Sequence, residues 1–264
     1  MPLHCKTVSL ILLLLASAAN AWSQSELKPK FILDKLKADC IAVDAQGCIY
    51  SVENSKLSKY SPEGTLLATF NRFSLGAISA VDVSNSMKIM LFYKEAGTIL
   101  FLDDKLSPIT EELSLFAKNL YAITLASYST TNHIWLYDHF SKELLTLDFR
   151  LNIIQKNRLD LEESAPVRLA EIKEKILLLQ HPEAGLLLFD AFGTFVKKVA
   201  IFTHSPVQVI NTTIYFLEDG EYYQYDYQKL EKQRVDFQMD NVKQIIKHRD
   251  RHVVLTIAGT VAVY

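Results

Sequence analysis

Residues 40–70 read CIAVDAQGCIYSVENSKLSKYSPEGTLLATF, and this stretch decides the fold. It contains four short apolar runs separated by turn residues. The last turn, Ser61-Pro62-Glu63-Gly64, has proline at its second position, where the restricted φ of the ring suits a β-turn. Short apolar runs that alternate with such turns predict a four-stranded antiparallel meander. The four runs are Cys40–Val43, Cys48–Val52, Lys56–Tyr60 and Thr65–Phe70.

The same pattern returns along the rest of the chain. Its third run recurs at intervals of 41, 46, 42, 36 and 38 residues. A repeat of about 40 residues that carries four strands is typical of a β-propeller. The sequence therefore predicts an all-β, six-bladed β-propeller of four-stranded antiparallel blades. The marker positions of the third runs are Tyr60, Phe101, Leu147, Phe189, Tyr225 and Val263.

Three of the later sets need separate arguments. The second set predicts its fourth strand at Leu106–Ile109, followed by a short helical turn within Thr110–Ala117. In the fourth set, residues 170–176 contain good helix formers, but the repeat favours a hairpin there. The sixth set has only three strands. An apolar segment at Lys30–Asp34 is expected to join it and close the ring, which removes two exposed edges. Two stacked β-sandwich domains remain the alternative architecture.

The N-terminus has the features of an export signal. Lys6 precedes an apolar run, Leu10–Leu15, which is too short to cross a membrane. Ala19 and Ala21 are the small residues that a signal peptidase needs. Cleavage after Ser23 and an uncleaved anchor are the alternatives. The predicted organisation is a signal peptide at 1–21, a short segment at 22–29 and one propeller domain at 30–264.

Two cysteines remain after this processing, Cys40 and Cys48. If Asp44–Gly47 is a tight turn, Cys48 lies opposite Val43, and the two thiols point to opposite faces of the sheet. The sequence therefore disfavours a disulfide, although an oxidising compartment would permit one.

Composition excludes several classes of function. The 264 residues carry 28 Lys+Arg against 30 Asp+Glu, a net charge of −2, which argues against nucleic-acid binding through bulk positive charge. The eight glycines form neither GxGxxG nor GxxxxGK[ST], so no phosphate-binding loop is expected. Asn, Asp, Ser and Lys must then occupy many of the turns. No second apolar stretch reaches membrane length, and no transmembrane span is expected in the mature chain.

The stretch VDAQGCIYSVENSKLSKYSPEGTLLATF, residues 43–70, resembles one unit of the NHL and YVTN group of propellers. A second partial match is LLLFDAFGTFVKKVAIF, residues 186–202. The chain is also similar to exported six-bladed propellers of bacterial cell envelopes, notably of Bacteroidota. That resemblance implies an interaction role in the periplasm or at the outer membrane, with an extracellular location as the alternative. It implies no activity, and no catalytic residue is carried over.

The residues with reactive side chains are scattered. No GxSxG is present for a serine nucleophile, and Asp103-Asp104 lacks the spacing of a calcium loop, so a turn is favoured there. His248 and His252 flank Arg249-Asp250-Arg251, which is typical of a solvated hairpin tip. No catalytic residue, metal ligand or cofactor is assigned.

Aromatic runs give the candidate contacts with a partner or ligand. Tyr223, Tyr225 and Tyr227 share one face of a strand and are expected to pack between blades, whereas Tyr222 lies on the other face. Aromatic side chains with polar tips are favoured at binding surfaces, although packing between blades is the structural alternative. The candidate contacts are Tyr222, Trp135, Tyr137 and His139.

Three functions follow from these observations. The favoured one is a non-enzymatic protein-interaction or scaffold module whose partner is an envelope protein or complex. The second is a propeller enzyme of the lyase or lactonase type, with a metal at the central channel. The third is a module that binds a glycan or peptide. Convergence of three or more His, Asp or Glu side chains in the channel would favour the enzyme.

Overall fold

The computed structural model describes residues 28–33, 36–161, 165–172, 176–237, 239 and 241–264, and the predicted signal peptide lies outside these residues. The described chain forms six four-stranded antiparallel sheets, arranged as the blades of a propeller. This confirms the predicted fold class. No helix in the described ranges has the length and apolar character needed to cross a membrane.

The first three complete blades follow the chain in order. In each of them the first strand lies innermost and the fourth lies outermost. The N-terminal strand β1 (Phe31–Leu33) precedes them. Blade 1 comprises β2 (Cys40–Val43), β3 (Ile49–Glu53), β4 (Lys56–Tyr60) and β5 (Leu66–Asn71); blade 2 comprises β6 (Ala80–Asp82), β7 (Ile89–Tyr93), β8 (Thr98–Leu102) and β9 (Leu113–Ser114); blade 3 comprises β10 (Ile123–Tyr128), β11 (Ile134–Asp138), β12 (Glu143–Leu147) and β13 (Ile153–Arg158).

The remaining blades keep this order, and blade 6 takes its fourth strand from the N-terminus. Short 3₁₀ helices at Phe73–Leu75 and Phe116–Lys118 lie in the connections that leave blades 1 and 2. Blade 4 comprises β14 (Arg168–Ile172), β15 (Ile176–His181), β16 (Gly185–Phe189) and β17 (Phe195–Val199); blade 5 comprises β18 (Gln208–Ile210), β19 (Thr213–Glu218), β20 (Glu221–Asp226) and β21 (Glu231–Arg234); blade 6 comprises β22 (Val242–His248), β23 (Arg251–Thr256) and β24 (Val261–Val263).

Strand β1 lies at the outer side of blade 6, where the sequence expected a closing strand. It pairs antiparallel with β24, with Phe31 opposite Val263 and Leu33 opposite Val261. Leu33 is buried in an apolar cluster that also contains Ile49 of blade 1. The beginning of the chain therefore contributes to the contact between the last blade and the first.

Blade 2 departs from the predicted register. Its fourth strand is β9 at Leu113–Ser114 and not Leu106–Ile109. Pro108 forms only an isolated bridge with Leu102. Proline has no N–H to donate to a ladder, so regular pairing begins further along the chain. The hairpin predicted for blade 4 is present, because β14 and β15 pair antiparallel.

One type of turn joins the third strand to the fourth in blades 1 to 4. An Asp or Ser side chain accepts hydrogen bonds from the backbone N–H groups two and four residues later. The fourth residue of each turn is left-handed, and leucine takes that place in blades 2 and 3. This is how few glycines suffice for many turns. The capping residues are Ser61, Asp103, Asp148 and Asp190, and the left-handed residues are Gly64, Leu106, Leu151 and Gly193.

The hydrophobic core is divided among the six gaps between blades, and each gap contains one apolar cluster. Middle strands are buried on both faces; every residue of β7 and β8 is buried. A strand covered on both sides has no solvent face, and its sequence reads as a continuous apolar run.

The cysteine geometry differs from the prediction. Ile49, and not Cys48, lies opposite Val43, because the turn extends from Asp44 to Cys48. Both cysteines consequently pack against the same apolar cluster between blades 1 and 2. They lie at opposite ends of one hairpin, too far apart for a disulfide, and both thiols are free.

Candidate functional site at the central channel

The innermost strands of all six blades surround a central cavity with a volume of about 340 Å³. Each of these strands has one edge without a strand partner of its own blade, and this edge faces the axis. The cavity wall combines apolar side chains with a few charged and amide groups. The channel is therefore the place where polar residues from distant parts of the chain meet.

Two glutamines on inner strands hold neighbouring blades together. The Gln244 amide accepts the N–H of Ile41 at 3.2 Å and donates to the carbonyl of the same residue at 3.1 Å, which links blade 6 to blade 1. The Gln208 amide makes the same pair of bonds with the backbone of Lys247, both at 2.8 Å, and links blade 5 to blade 6. Each glutamine acts as a substitute for a missing strand partner.

The two carboxylates in the channel wall are also bound by neighbouring blades. Asp82 of blade 2 accepts hydrogen bonds from the Ser127 hydroxyl at 3.0 Å and the Tyr128 N–H at 2.9 Å. Glu171 of blade 4 accepts bonds from the Thr130 N–H at 3.0 Å and the Trp135 indole N–H at 3.2 Å. Both acidic groups therefore connect blade 3 to its neighbours.

Arg168 differs from these groups. It is the first residue of β14, and its guanidinium donates a hydrogen bond to the carbonyl of Val207 in blade 5. None of the ion pairs in the described ranges includes Arg168. Burial lowers the pKa of this guanidinium, and Asp82 and Cys40 partly oppose that effect. Among the residues that the structure describes, Arg168 is thus a cation in the channel with one hydrogen-bond acceptor, the Val207 carbonyl.

Cys40, on the inner strand of blade 1, does not offer a reactive thiol. Burial raises its pKa to about 11, and nearby Asp39 adds to the rise, although Lys243 and Arg168 act in the opposite direction. A thiol with this pKa is almost wholly protonated at neutral pH and is a poor nucleophile.

The histidines do not converge. The buried His181 accepts the N–H groups of Glu183 and Ala184 in a turn of blade 4. His252 packs against Phe237 between blades 5 and 6, and burial lowers its pKa. The described residues contain no group of three or more His, Cys, Asp or Glu side chains that could hold a metal ion. The convergence that would favour a metalloenzyme is therefore not seen in that part of the chain.

The structure corrects the choice of aromatic contact residues. Trp135 and Tyr137 are buried between blades 3 and 4. Tyr222 is only 2% exposed and packs between blades 5 and 6, whereas Tyr225, which was expected to be the more buried, is half-buried against blade 4. Both faces of β20 pack against a neighbouring blade, so neither face is free. His139 alone of the four candidates is exposed.

Sequence analysis missed Arg168. The register places it at the level of Cys40 in blade 1, Ala80 in blade 2 and Leu125 in blade 3. Small or apolar residues occupy these equivalent positions. An alignment of the first four repeats at this position would have set Arg168 apart from the residues of blades 1 to 3.

A second feature that was missed is an apolar surface on the outside of blade 4. Phe192 is 70% exposed and Phe195 is 55% exposed. The Phe192 carbonyl accepts hydrogen bonds from Gln155 and Asn157 on β13, which holds the blade 4 turn against blade 3. The outer apolar patch, as we name it, consists of Phe192, Phe195 and Val196, in the turn and outer strand of blade 4.

Comparison with known proteins finds similarity in fold but not in sequence. No protein-family model matches the sequence, and no curated protein matches it either. Membership of the NHL and YVTN group therefore stays a prediction.

Solved structures do share the architecture. Catalytically inactive H270A virginiamycin B lyase from Staphylococcus aureus with quinupristin has a TM-score of 0.61 at 12% identity, over 90% of this chain and 82% of that chain. A streptogramin B lyase has a TM-score of 0.59 at 13% identity, over 86% and 82% of the two chains. A protein of unknown function from Bacteroides caccae has a TM-score of 0.59 at 9% identity, over 80% and 86%. At these identities the likeness shows the propeller fold alone.

Proposed function

We propose that this chain is an exported, non-enzymatic β-propeller that binds a protein partner in the bacterial cell envelope. The observation that carries the proposal is the outer apolar patch on blade 4. Large apolar side chains that remain exposed together mark sites of protein interaction more often than isolated exposed residues do. The polar residues of the channel, by contrast, are mostly engaged in holding blades together.

Neighbouring residues restrain part of the patch. Hydrogen bonds from Gln155 and Asn157 restrain the backbone at Phe192, and the Phe195 ring packs edge-on against Phe189 at 5.9 Å between centroids. A partner would therefore meet the Phe192 backbone and the Phe195 ring in positions that are largely set before binding. Less conformational entropy is then lost on association.

The strand edges next to the patch suggest how a partner binds. Within the described ranges no strand pairs with the outer edges of β13 and β17. An extended segment of a partner could add to the β17 edge through backbone hydrogen bonds, while its apolar side chains cover Phe195 and Val196. We therefore propose an extended apolar segment of an envelope protein as the partner.

Export is part of the proposal and has its own test. The apolar run Leu10–Leu15 and the small residues Ala19 and Ala21 support removal of a signal peptide at 1–21. Mass spectrometry of the protein recovered from the periplasm should find an N-terminus at Trp22, or at Gln24 under the alternative cleavage. Recovery of the intact Met1 form from the cytoplasm would overturn the proposed location.

Binding is tested with a matched pair of double variants. Phe192→Ser with Phe195→Ser removes the two rings, and Leu66→Ser with Leu67→Ser makes an equal change on the outer strand of blade 1, where both leucines are 54% exposed. Cross-linking in envelope extracts should retain one partner with the wild type and with the blade 1 variant, but not with the blade 4 variant. The purified partner should then bind the wild type directly.

Two results would contradict the proposal. Equal retention of the partner by all three proteins would show that the patch does not bind it. Turnover of quinupristin, the compound in the virginiamycin B lyase structure, would show that this chain is an enzyme instead.

A further inference from the structure

We propose that the central channel is a binding site for a small organic carboxylate with an apolar body, recognised by the guanidinium of Arg168. This site is separate from the outer apolar patch and does not depend on the proposed protein partner. The free donors of Arg168, the aliphatic residues of the channel wall and the position of Arg168 near one mouth support the proposal.

Within the described part of the chain, the guanidinium of Arg168 has N–H donors for which no protein acceptor is present. An arginine side chain carries five N–H bonds in a planar fork, and the Val207 carbonyl accepts one of them. Asp82 and Glu171, the carboxylates of the channel wall, already receive hydrogen bonds from blade 3 and form no ion pair with Arg168. A carboxylate from outside the chain matches the geometry of the fork through two parallel bonds.

The channel wall favours an apolar body on this carboxylate. More than half of its lining residues are aliphatic, and all six blades contribute to them. A volume of about 340 Å³ is at the lower end of the range for small-molecule sites. A phosphate or other compact, strongly hydrated anion would leave this wall uncovered. The aliphatic lining includes Ile41, Val81, Leu125, Leu169, Val207 and Ile245.

Arg168 is placed where a ligand can reach it. As the first residue of an inner strand, it lies near the mouth at which the connections between blades enter the channel. The exposed His204, in the connection that precedes β18, lines the same channel. A ligand that enters from this side meets the guanidinium first, and its apolar end then passes between the aliphatic side chains.

A purely structural role is the competing explanation. The bond to Val207 joins blade 4 to blade 5, and water in the channel could satisfy the remaining donors. The two explanations differ in selectivity. A water-filled structural channel has no preference among solutes, whereas the proposed site requires both the negative charge and the apolar body.

Selectivity is measured with four probes on the purified full-length mature protein. Calorimetric titration with hexanoate and benzoate should show saturable binding. Hexanol, which lacks the charge, and inorganic phosphate, which lacks the apolar body, should bind at least about tenfold more weakly, because each loses one of the two contributions. Equal binding of phosphate and hexanoate, or no binding of either acid, would overturn the proposal.

Variants identify the residue. Arg168→Gln should weaken hexanoate binding by about 10- to 100-fold, and Arg168→Lys should weaken it less, because a charge-assisted pair is lost in the first and becomes monodentate in the second. Arg150→Gln, in an exposed turn, is the matched control and should bind like the wild type. Unchanged binding by a folded Arg168→Gln would overturn the assignment.

A measurement on the wild type covers the case in which Arg168→Gln does not fold. Phenylglyoxal modifies accessible arginines, and peptide mapping reports each site. Hexanoate should protect Arg168 and leave the labelling of Arg150 unchanged; equal labelling of Arg168 with and without hexanoate would contradict the proposal. A folded Arg168→Gln should still capture the protein partner, so failure of this site is distinguishable from failure of the proposed function.

Discussion

The innermost and outermost strands of this propeller carry contrasting side chains. Inner strands present Gln244, Gln208 and Asp82, whose polar atoms bind the backbone or side chains of the next blade. Outer strands present exposed apolar residues, such as Leu66 in blade 1 and Ile154 in blade 3, each 54% exposed. Hydrogen-bonding side chains thus stand among the aliphatic residues of the inner strands, and exposed apolar side chains lie on part of the rim.

This contrast separates residues that build the fold from residues available for binding. At the axis, strand edges converge and need hydrogen-bond partners, which the polar side chains supply. At the rim, exposed leucine or phenylalanine contributes little to folding because it stays in water. The inner polar residues should therefore control stability, and the outer apolar residues should control association.

The largest effect on stability is expected at β1, an outer strand that carries a buried leucine. Leu33 is 6% exposed, whereas Leu66 on β5 is 54% exposed. Leu33→Ala should lower the free energy of unfolding by about 2–5 kcal/mol, because it leaves a cavity between blades 6 and 1. Leu66→Ala, the matched control, should change it by less than about 0.5 kcal/mol. Urea unfolding gives both values. A loss of stability in Leu33→Ala as small as that expected for Leu66→Ala would mean that ring closure through β1 is not needed for stability.

The next effect concerns the inner glutamines. Gln244→Leu leaves the N–H and the carbonyl of Ile41 without the partner that they have in the structure. Each unsatisfied buried group costs about 1–3 kcal/mol, so two groups give roughly 2–6 kcal/mol, and we expect the lower end of this range because water in the channel can replace part of the lost bonding. Gln233→Leu, on the exposed outer strand β21, is the control and should be close to neutral. Thermal unfolding distinguishes them, and a neutral Gln244→Leu would show that the inner polar bonds are dispensable.

A pH effect is expected at His252, which lies opposite Lys247 of the inner strand β22. Burial, and then the charges of Lys247 and Lys30, lower the pKa of His252 below its ordinary value of 6.5. The unfolded chain then binds this proton more readily than the folded chain, so stability falls as pH drops through about 6.5. His252→Phe should reduce the loss of stability between pH 7 and pH 5.

The control for this experiment is His139→Phe, at an exposed position. Denaturant unfolding at several pH values should give the wild-type slope for this variant. A steeper loss of stability in His252→Phe than in the wild type would contradict the assigned direction of the shift.

The smallest effect is on reactivity and not on stability. Cys40 lies on the inner strand β2, and its pKa is raised to about 11, whereas Cys48 ends the turn and has a smaller rise. At pH 8 the thiol with the larger rise in pKa has the smaller fraction of reactive thiolate. Alkylation followed by peptide mapping should label Cys48 first. An intact mass two hydrogens lower would reveal a disulfide and contradict the hairpin register.

Local signals in the sequence were sufficient for the architecture. The turn Ser61–Gly64 and its counterparts are formed by side chains that bond their own backbone within four residues, so they can be recognised one blade at a time. The count of six blades follows from the repetition of these turns. Where Pro108 interrupts the local pattern, the prediction is wrong: the fourth strand of blade 2 lies at Leu113–Ser114 and not at Leu106–Ile109.

Local sequence patterns predict the residues of the candidate site less well. Alternation assigns a strand residue to one of two faces, but it does not tell which face is open when both are covered, and Tyr222 was misplaced for that reason. The exposed rings of Phe192 and Phe195 look like core residues in the sequence. Their exposure follows only from their place on the outer strand and its turn.

The sequence by itself therefore determined the strands, the turns and the number of blades, because each depends on contacts between residues close together in the chain. The tertiary structure alone decided which residues meet at the axis. Gln244 binds Ile41 across 203 residues, and Arg168 binds Val207 across 39. Such contacts depend on the relative placement of whole blades. No short pattern encodes them, because the packing between blades must form before these side chains come within reach.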